Sequence, residues 1–288
     1  MKRAITAIIL PLILFNMVAL IGCAPTETRT NTFAVGLNPS VEVSVGNGNV
    51  ILVVGSDGEI NVTANLKNPD NIEYTISQEG DKVTLDAKTR GGSRADVTVT
   101  APVNTEFELT TGNGNVDVTG VQASGLVNSG NGSIVLKEII GDVTGNLGNG
   151  KTTLSDVEGE YILNTGNGDI QLAGATGLFI LSIGNGDIRL TNGRGSVILS
   201  VGNGSISFEG ELDPGSDNTI STGNGSVTVE ITGSPSLSLD LEIYDRGKIR
   251  VDLPVAVSEQ SEYRLIGTVG DGETSLNVST GSGNITIK

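Results

Sequence analysis

The triplet Gly-Asn-Gly recurs through most of the chain at a nearly constant interval. It begins at residues 46, 112, 130, 148, 166, 184, 202 and 223, and a Gly-Ser-Gly variant begins at 281. From 112 to 202 the interval is 18 residues each time, and the next interval is 21. A fixed period of this length indicates a repeat architecture in which one unit stacks on the next.

The residues around each triplet alternate with a period of two, which is typical of β-strands. In the copy at 166, Leu163 precedes the corner, and Ile170 and Leu172 follow it. Asn-Gly is also a strong hairpin signal, so an antiparallel meander is the alternative. Equivalent chemistry at a fixed period favours stacking. We therefore predict an all-β fold: a single-domain parallel β-solenoid (β-helix) with 18-residue coils and irregular capping ends.

The middle residues of the triplets are predicted to form an asparagine ladder, because stacked amides can hydrogen-bond from coil to coil. Two alternatives are an external ligand at these amides and a calcium-binding β-roll. The β-roll requires a nine-residue period with a regular aspartate, which this chain lacks. The corner set is Asn47, Asn113, Asn131, Asn149, Asn167, Asn185, Asn203 and Asn224.

The N-terminus has the order of a bacterial lipoprotein signal. MKR and an apolar run precede the lipobox residues Leu20, Ile21, Gly22 and Cys23. A transmembrane anchor with an incidental cysteine is the alternative. We predict a signal peptide over 1–22, then a lipidated Cys23 and polar tether over 23–33. The lipid would attach the protein to the membrane at the cell surface, at the outer membrane or the outer face of the plasma membrane.

The net charge restricts the partners. The formal charge is −16, and Lys2 and Arg3 are the only charged residues in 1–22. Such an acidic chain is unsuited to nucleic acid and to anionic lipid headgroups. Wall cations or cationic peptides fit this charge, although a solvated acidic surface is the simpler explanation.

GNLGNGKT, residues 145–152, matches the P-loop pattern but lacks its context. In the repeat register Lys151 occupies a polar slot and Thr152 a core position, and strand alternation follows. A P-loop instead continues into a helix whose N-terminus receives the phosphates. We predict no nucleotide and no cofactor. Gly145 and Thr152 interrupt their inward apolar rows, so this coil is expected to pack least well.

The composition leaves few residues for catalysis. Histidine is absent and Cys23 is the only cysteine, so nucleophilic and zinc-dependent schemes lose their usual residues. Asp169 and Asp187, with Arg189 nearby, form the one acidic constellation that could serve a carbohydrate-active β-helix enzyme. A solvated edge is the simpler interpretation, and we assign no catalytic residue and no metal ligand.

An outward aliphatic stripe is predicted at Ile162, Ile180 and Ile198, with Leu126 two coils away. Such a stripe often marks a partner surface. The alternative is that a terminal segment folds over it. Tyr161 and Phe179 are expected to point inward as core residues.

The chain resembles a family of bacterial β-strand-repeat proteins called "putative adhesin", itself a domain of unknown function. The resemblance rests on the GNG-[DNS]-[IV]-x-[LV] units and on the terminal TVGDGETSLNVSTGSGNITI, and it covers residues 36–288. It implies an envelope-facing β-solenoid without defined catalytic residues. Some members are regarded as adhesive and some as companions of envelope-stress sensing systems.

We expect one domain over 34–288. It comprises irregular N-terminal coils and a cap over 34–110, regular repeats over 111–233, and C-terminal coils over 234–288. The expected function is non-catalytic surface interaction with an envelope protein or a wall or surface polymer. The alternatives are an envelope-stress regulator and a carbohydrate-active enzyme.

Overall fold

The computed structural model describes residues 25–288, and nearly all of its regular structure is β-strand. Within these residues the one helical element is a single 3₁₀ turn, Pro69–Asn71. The all-β prediction is confirmed. The signal region, the lipobox and Cys23 lie outside the described residues. No helix in the described part of the chain is long and apolar enough to cross a membrane.

Twenty-four strands follow one another along residues 25–288. They are β1 (Thr26–Ala34), β2 (Ser40–Asn47), β3 (Val50–Val54), β4 (Glu59–Lys67), β5 (Ile72–Glu79), β6 (Lys82–Thr89), β7 (Arg94–Ala101), β8 (Glu106–Asn113), β9 (Val116–Thr119), β10 (Gly125–Lys137), β11 (Val143–Ser155), β12 (Glu158–Asn167), β13 (Ile170–Ala173), β14 (Thr176–Asn185), β15 (Ile188–Asn203), β16 (Ile206–Leu212), β17 (Asp217–Asn224), β18 (Val227–Ile231), β19 (Leu237–Arg246), β20 (Ile249–Val251), β21 (Ala256–Gln260), β22 (Arg264–Val269), β23 (Thr274–Ser282) and β24 (Ile285–Ile287).

The strands stack into two ladders that share β10, β11 and β15. Ladder A has the order β5, β6, β2, β8, β10, β11, β12, β14, β15, β17, β23, β19, β22 and β21. Ladder B has the order β1, β4, β7, β3, β9, β10, β11, β13, β15, β16, β18, β24 and β20.

In the regular body the strands of each ladder pair in parallel, and the register equals the sequence period. Ile162 lies opposite Ile180, and Ile180 lies opposite Ile198. The longer interval at the end of the body is also visible, since Ile198 lies opposite Thr219. Residues at one repeat position therefore form a row that runs across the coils.

The inward rows form the core. Ile170 and Leu154 are 0% exposed, and Leu190 is 0% exposed on a neighbouring coil. Tyr161 and Phe179 are also buried, and their rings stack with centroids 5.9 Å apart. Their predicted inward orientation is confirmed. Small aliphatic side chains suffice for this core because every coil repeats the same backbone path.

Both ends of the stack depart from chain order. β2 lies between β6 and β8, and β23 lies between β17 and β19. Antiparallel pairs complete each end: β1 with β4, β4 with β7 and β5 with β6 at one, and β19 with β22 and β21 with β22 at the other. The caps therefore combine hairpins of consecutive strands, β5–β6 and β21–β22, with pairs of segments that are distant in sequence, such as β1–β4 and β4–β7.

The polar segment before residue 34 is not a tether, so that prediction was wrong. β1 pairs antiparallel with β4 from Thr26 to Ala34. Phe33 and Asn31 are buried, while most of the other side chains are exposed. An edge strand with a single buried apolar residue has the composition of a linker, and the β4 residues that pair with it lie 25 to 41 positions further along the chain.

The coil of GNLGNGKT contains no void at its glycine. The position that a Cβ of Gly145 would take lies 2.7 Å from Leu163 Cδ2 and 3.1 Å from Val127 Cγ2. The leucine of the next coil thus fills the space, and the expected packing defect at Gly145 is absent. Thr152 points inward and is 2% exposed.

Candidate functional site

The corner asparagines form one continuous chain of side-chain hydrogen bonds. Asn167 Nδ2 donates to Asn149 Oδ1 at 2.9 Å, and Asn167 Oδ1 accepts from Asn185 Nδ2 at 2.9 Å. The same contact, at 2.8–3.0 Å, joins every consecutive pair of the set Asn47, Asn113, Asn131, Asn149, Asn167, Asn185, Asn203 and Asn224. At the first end, Asn47 Nδ2 donates to Thr89 Oγ1 at 2.7 Å. Each interior amide therefore uses one donor and one acceptor for the stack.

Asn167→Ala is expected to lower the free energy of unfolding by about 1–2 kcal/mol, because it removes two hydrogen bonds. Asn224→Ala is the matched control: Asn224 donates to Asn203, and no ninth corner asparagine donates to it, so the loss should be about half. Urea unfolding of both variants measures the difference. Unchanged stability of the Asn167 variant, together with lost binding to cells, would assign the ladder to a ligand instead.

The polar slot after each triplet has its own structural role. Asp169 Oδ1 accepts from the backbone N–H of Asp187 at 3.0 Å, and Asp187 Oδ1 accepts from that of Ser205 at 2.7 Å. Asn115 Oδ1 does the same for Ser133. A side-chain oxygen at this position therefore accepts the backbone N–H of the equivalent residue in the next coil. This explains why Asn, Asp and Ser recur there.

Asp169 and Asp187 each use Oδ1 to accept a backbone N–H of the following coil. Acid–base catalysis requires carboxyl groups that converge on one substrate atom. These two instead lie in one row, each bonded to the coil above. Arg189 belongs to a separate row, opposite Gln171 and Ser207, and it makes no ion pair within residues 25–288.

The P-loop-like residues 145–152 lie within strand β11. A phosphate-binding loop needs consecutive backbone N–H groups that converge at a helix N-terminus. Here the backbone is extended and pairs on both sides with β10 and with β12 and β13. Lys151 is exposed and Thr152 faces the core, so the two residues cannot act together on a phosphate.

The outward residues of ladder A between β8 and β15 form a surface that we call face A. Its centre contains the aliphatic stripe Ile162, Ile180 and Ile198, which lie side by side on successive coils. Ile198 is 43% exposed and the other two are half-buried. Leu178 lies next to the stripe on the same face and is also half-buried. We did not predict Leu178 there, although strand alternation two residues before Ile180 indicates it.

One end of face A is acidic. The acidic end consists of Glu106, Glu108, Asp142 and Glu160. Glu108 lies opposite Leu126, and Glu160 lies opposite Leu178, so the carboxylates border the aliphatic residues. None of the four makes an ion pair within residues 25–288.

The basic residue nearest this end lies just beyond face A and is already paired. Lys82 Nζ is 2.7 Å from Glu42 Oε2. The hydrogen bond to Glu42 raises the pKa of Lys82, and the charges of Glu42, Glu108 and Glu79 raise it further. Lys82 therefore stays charged; its ion pair is with Glu42, and its charge also acts on Glu108 of the acidic end.

Face A also carries two shallow cavities. One, of about 500 Å³, is lined at the acidic end by Glu106, Glu108 and Asp142 and also by the ion pair of Lys82 and Glu42. The other, of about 510 Å³, follows the polar row beside the stripe, which contains Asn128, Asn146 and Asn164. Asn146 Nδ2 donates to Asn128 Oδ1 at 3.0 Å, so this row is a second, shorter amide ladder.

Comparison with known proteins defines the class of this all-β chain. The family model described as Toastrack DUF4097 matches residues 38–288. The chain therefore belongs to the Toastrack DUF4097 family, and the predicted family resemblance is confirmed. No curated protein matches the chain.

Several solved structures align with most of the chain. They are a "putative cell adhesion protein" from Clostridium sporogenes (11% identity, TM-score 0.28, 91% of this chain and 99% of that chain), a "putative adhesin" from Bacteroides fragilis (14%, 0.29, 91% and 97%) and a "putative adhesin" from Parabacteroides merdae (8%, 0.30, 91% and 96%). With TM-scores this low, these similarities carry no argument about the function of this chain.

Proposed function

We propose that this protein is a non-catalytic lipoprotein of the cell envelope that presents a rigid, single-domain parallel β-solenoid to a surface partner. The observation that carries the proposal is face A, where an aliphatic stripe lies beside carboxylates without ion-pair partners on a regular stack of coils. No side chain of face A covers the three isoleucines completely. A bound partner would bury them, and removing their apolar surface from water is favourable.

The position of β1 supports anchoring close to the membrane. Thr26 begins β1 only three residues after Cys23, and β1 is the edge strand of ladder B. A lipid on Cys23 would therefore hold the N-terminal cap against the membrane. Ladder A contains fourteen strands, so at about 4.8 Å per strand the stack is on the order of 60 Å long. That length would carry face A away from the bilayer.

The partner is an envelope protein or a wall or surface polymer. The aliphatic stripe specifically favours a second candidate, regulation through one protein partner such as an envelope-stress sensor. Catalysis on carbohydrate is not favoured, because Asp169 and Asp187 are bonded within the stack.

Cys23→Ser is expected to move the protein from the membrane fraction to the soluble fraction, because no lipid can be attached to serine. Ala24→Ser, which keeps the cysteine, is the matched control and should stay with the membrane. The released chain is then added back to cells that lack the protein, and saturable retention on them is expected. Unchanged fractionation of the Cys23 variant would refute the anchor, and absence of retention would refute surface interaction.

A further inference from the structure

Face A differs from the opposite outer face in its charge. Over β8 to β15 its outward rows contain five carboxylates, those of Glu106, Glu108, Asp142, Glu158 and Glu160, and one cation, Arg194, which shares a row with Glu158 and lies at the β15 end. The corresponding outward rows of ladder B carry Lys137, Lys151 and Arg189 among their acids. The four carboxylates of the acidic end therefore have no ion-pair partner within residues 25–288, on the same surface that exposes the aliphatic stripe.

The acidic and aliphatic groups are adjacent rather than scattered. Glu160 precedes Ile162 by two residues on one strand, so both side chains leave the same face. On the next coil, Leu178 lies directly opposite Glu160. A ligand that covers the stripe must also approach these carboxylates, and burying them without a cationic partner would cost free energy.

We propose that face A binds an amphipathic protein segment in which lysine or arginine side chains flank leucine or isoleucine. The proposal rests on the proposed surface function and names the chemistry of its partner. The aliphatic side chains of the segment pack on Ile162, Ile180 and Ile198, and its cations lie over the acidic end. Opposite charge aligns the segment and speeds encounter, while the aliphatic contact supplies most of the affinity.

Other occupants match this surface less well. A second copy of the chain in parallel isologous contact would place one acidic end near the other, and in antiparallel contact it would offer the carboxylates Arg194 as its one cation on this face. Anionic lipid headgroups meet the same repulsion. A neutral polysaccharide could bond to the amide rows but offers no aliphatic side chains for the stripe.

The test uses the full chain with Cys23→Ser and two synthetic probes of equal length, an amphipathic Leu/Lys peptide and its Leu/Glu twin. Fluorescence anisotropy should show saturable binding of the Leu/Lys peptide that weakens with added salt, and at least tenfold weaker binding of the twin. Equal binding of the two peptides would overturn the proposal, as would self-association of the chain that the stripe substitutions below abolish.

Two sets of substitutions separate the aliphatic and ionic contributions. Ile162→Ser with Ile180→Ser and Ile198→Ser should weaken binding of the Leu/Lys peptide at least tenfold. Glu108→Gln with Asp142→Asn and Glu160→Gln should remove most of its salt dependence, and Asn at 142 keeps the oxygen that accepts from the backbone N–H of residue 160. Val135→Ser, on the outer face of ladder B, is the control and should leave binding unchanged.

The outcomes separate the two proposals. If neither peptide binds while the Cys23→Ser chain is still retained on cells, the segment chemistry is wrong and the surface function stands. If the chain also fails to bind cells, both proposals are wrong. Thermal unfolding shows whether each variant is folded. If the triple Ile→Ser variant unfolds, the variant with Glu108→Gln, Asp142→Asn and Glu160→Gln still tests the proposal, because it removes no buried apolar side chain.

Discussion

Gly168→Ala is expected to lower the free energy of unfolding by more than about 4 kcal/mol and to leave little folded protein. Gly168 has φ +130°, a region that residues with a Cβ rarely adopt. A Cβ at this position would also overlap the carbonyl oxygen of Gly150 on the preceding coil. The strand spacing sets that approach, so the stack cannot widen at one corner without breaking its ladder hydrogen bonds.

The control for this prediction is Gly215→Ala. Gly215 also has a positive φ, +74°, but a Cβ there would meet nothing within 4 Å. We expect a loss of about 1–2 kcal/mol, the cost of the left-handed backbone alone. Chemical unfolding of both variants measures the contrast. If the two variants lost the same free energy of unfolding, the positive φ alone would explain the glycine of the corner triplet, and the close stacking of coils would not.

Ending the chain after Gly272 is expected to unfold the C-terminal cap. The deleted strands β23 and β24 lie between β17 and β19 and between β18 and β20. They also bury Leu276, Val278, Ile285 and Ile287, each worth about 1.5–3 kcal/mol. Without these two strands, residues 237–251 lose their connection to the regular coils in both ladders, and β19 keeps only its antiparallel pairing with β22.

Hydrogen exchange and limited proteolysis measure this effect. Residues 237–251 should lose protection, whereas the regular coils from β8 to β15 should keep theirs. Removal of Lys288 alone is the control, since the side chain is exposed and its ion pair with Glu230, at 3.9 Å, is weak. Retained protection in 237–251 of the shortened chain would contradict the observed order of the coils.

The regular body could be predicted from the sequence because its contacts repeat at the sequence period. Once Ile162 is placed opposite Ile180, every row of the body follows, including the asparagine corner and the aliphatic stripe. Leu178 and the acidic end were accessible by the same alignment. The importance of these residues could not be predicted, because it depends on how few basic side chains the whole face carries.

The caps could not be predicted in the same way. Pairing of β2 with β6 and of β19 with β23 reverses the chain order, and no period records such long-range contacts. β1 was mistaken for a tether because its outward residues are polar and only Phe33 carries the apolar alternation. These parts depend on tertiary pairing that local patterns do not encode.

Photo-crosslinking on intact cells tests the central claim, that face A is the surface which meets a partner. A photoreactive side chain is introduced at position 180 of the lipidated chain, or at position 135 on the opposite outer face. We expect a discrete crosslinked product from position 180 that maps to a basic, aliphatic segment of one envelope protein, and no product from position 135. Equal products from both positions, or none from position 180, would contradict it.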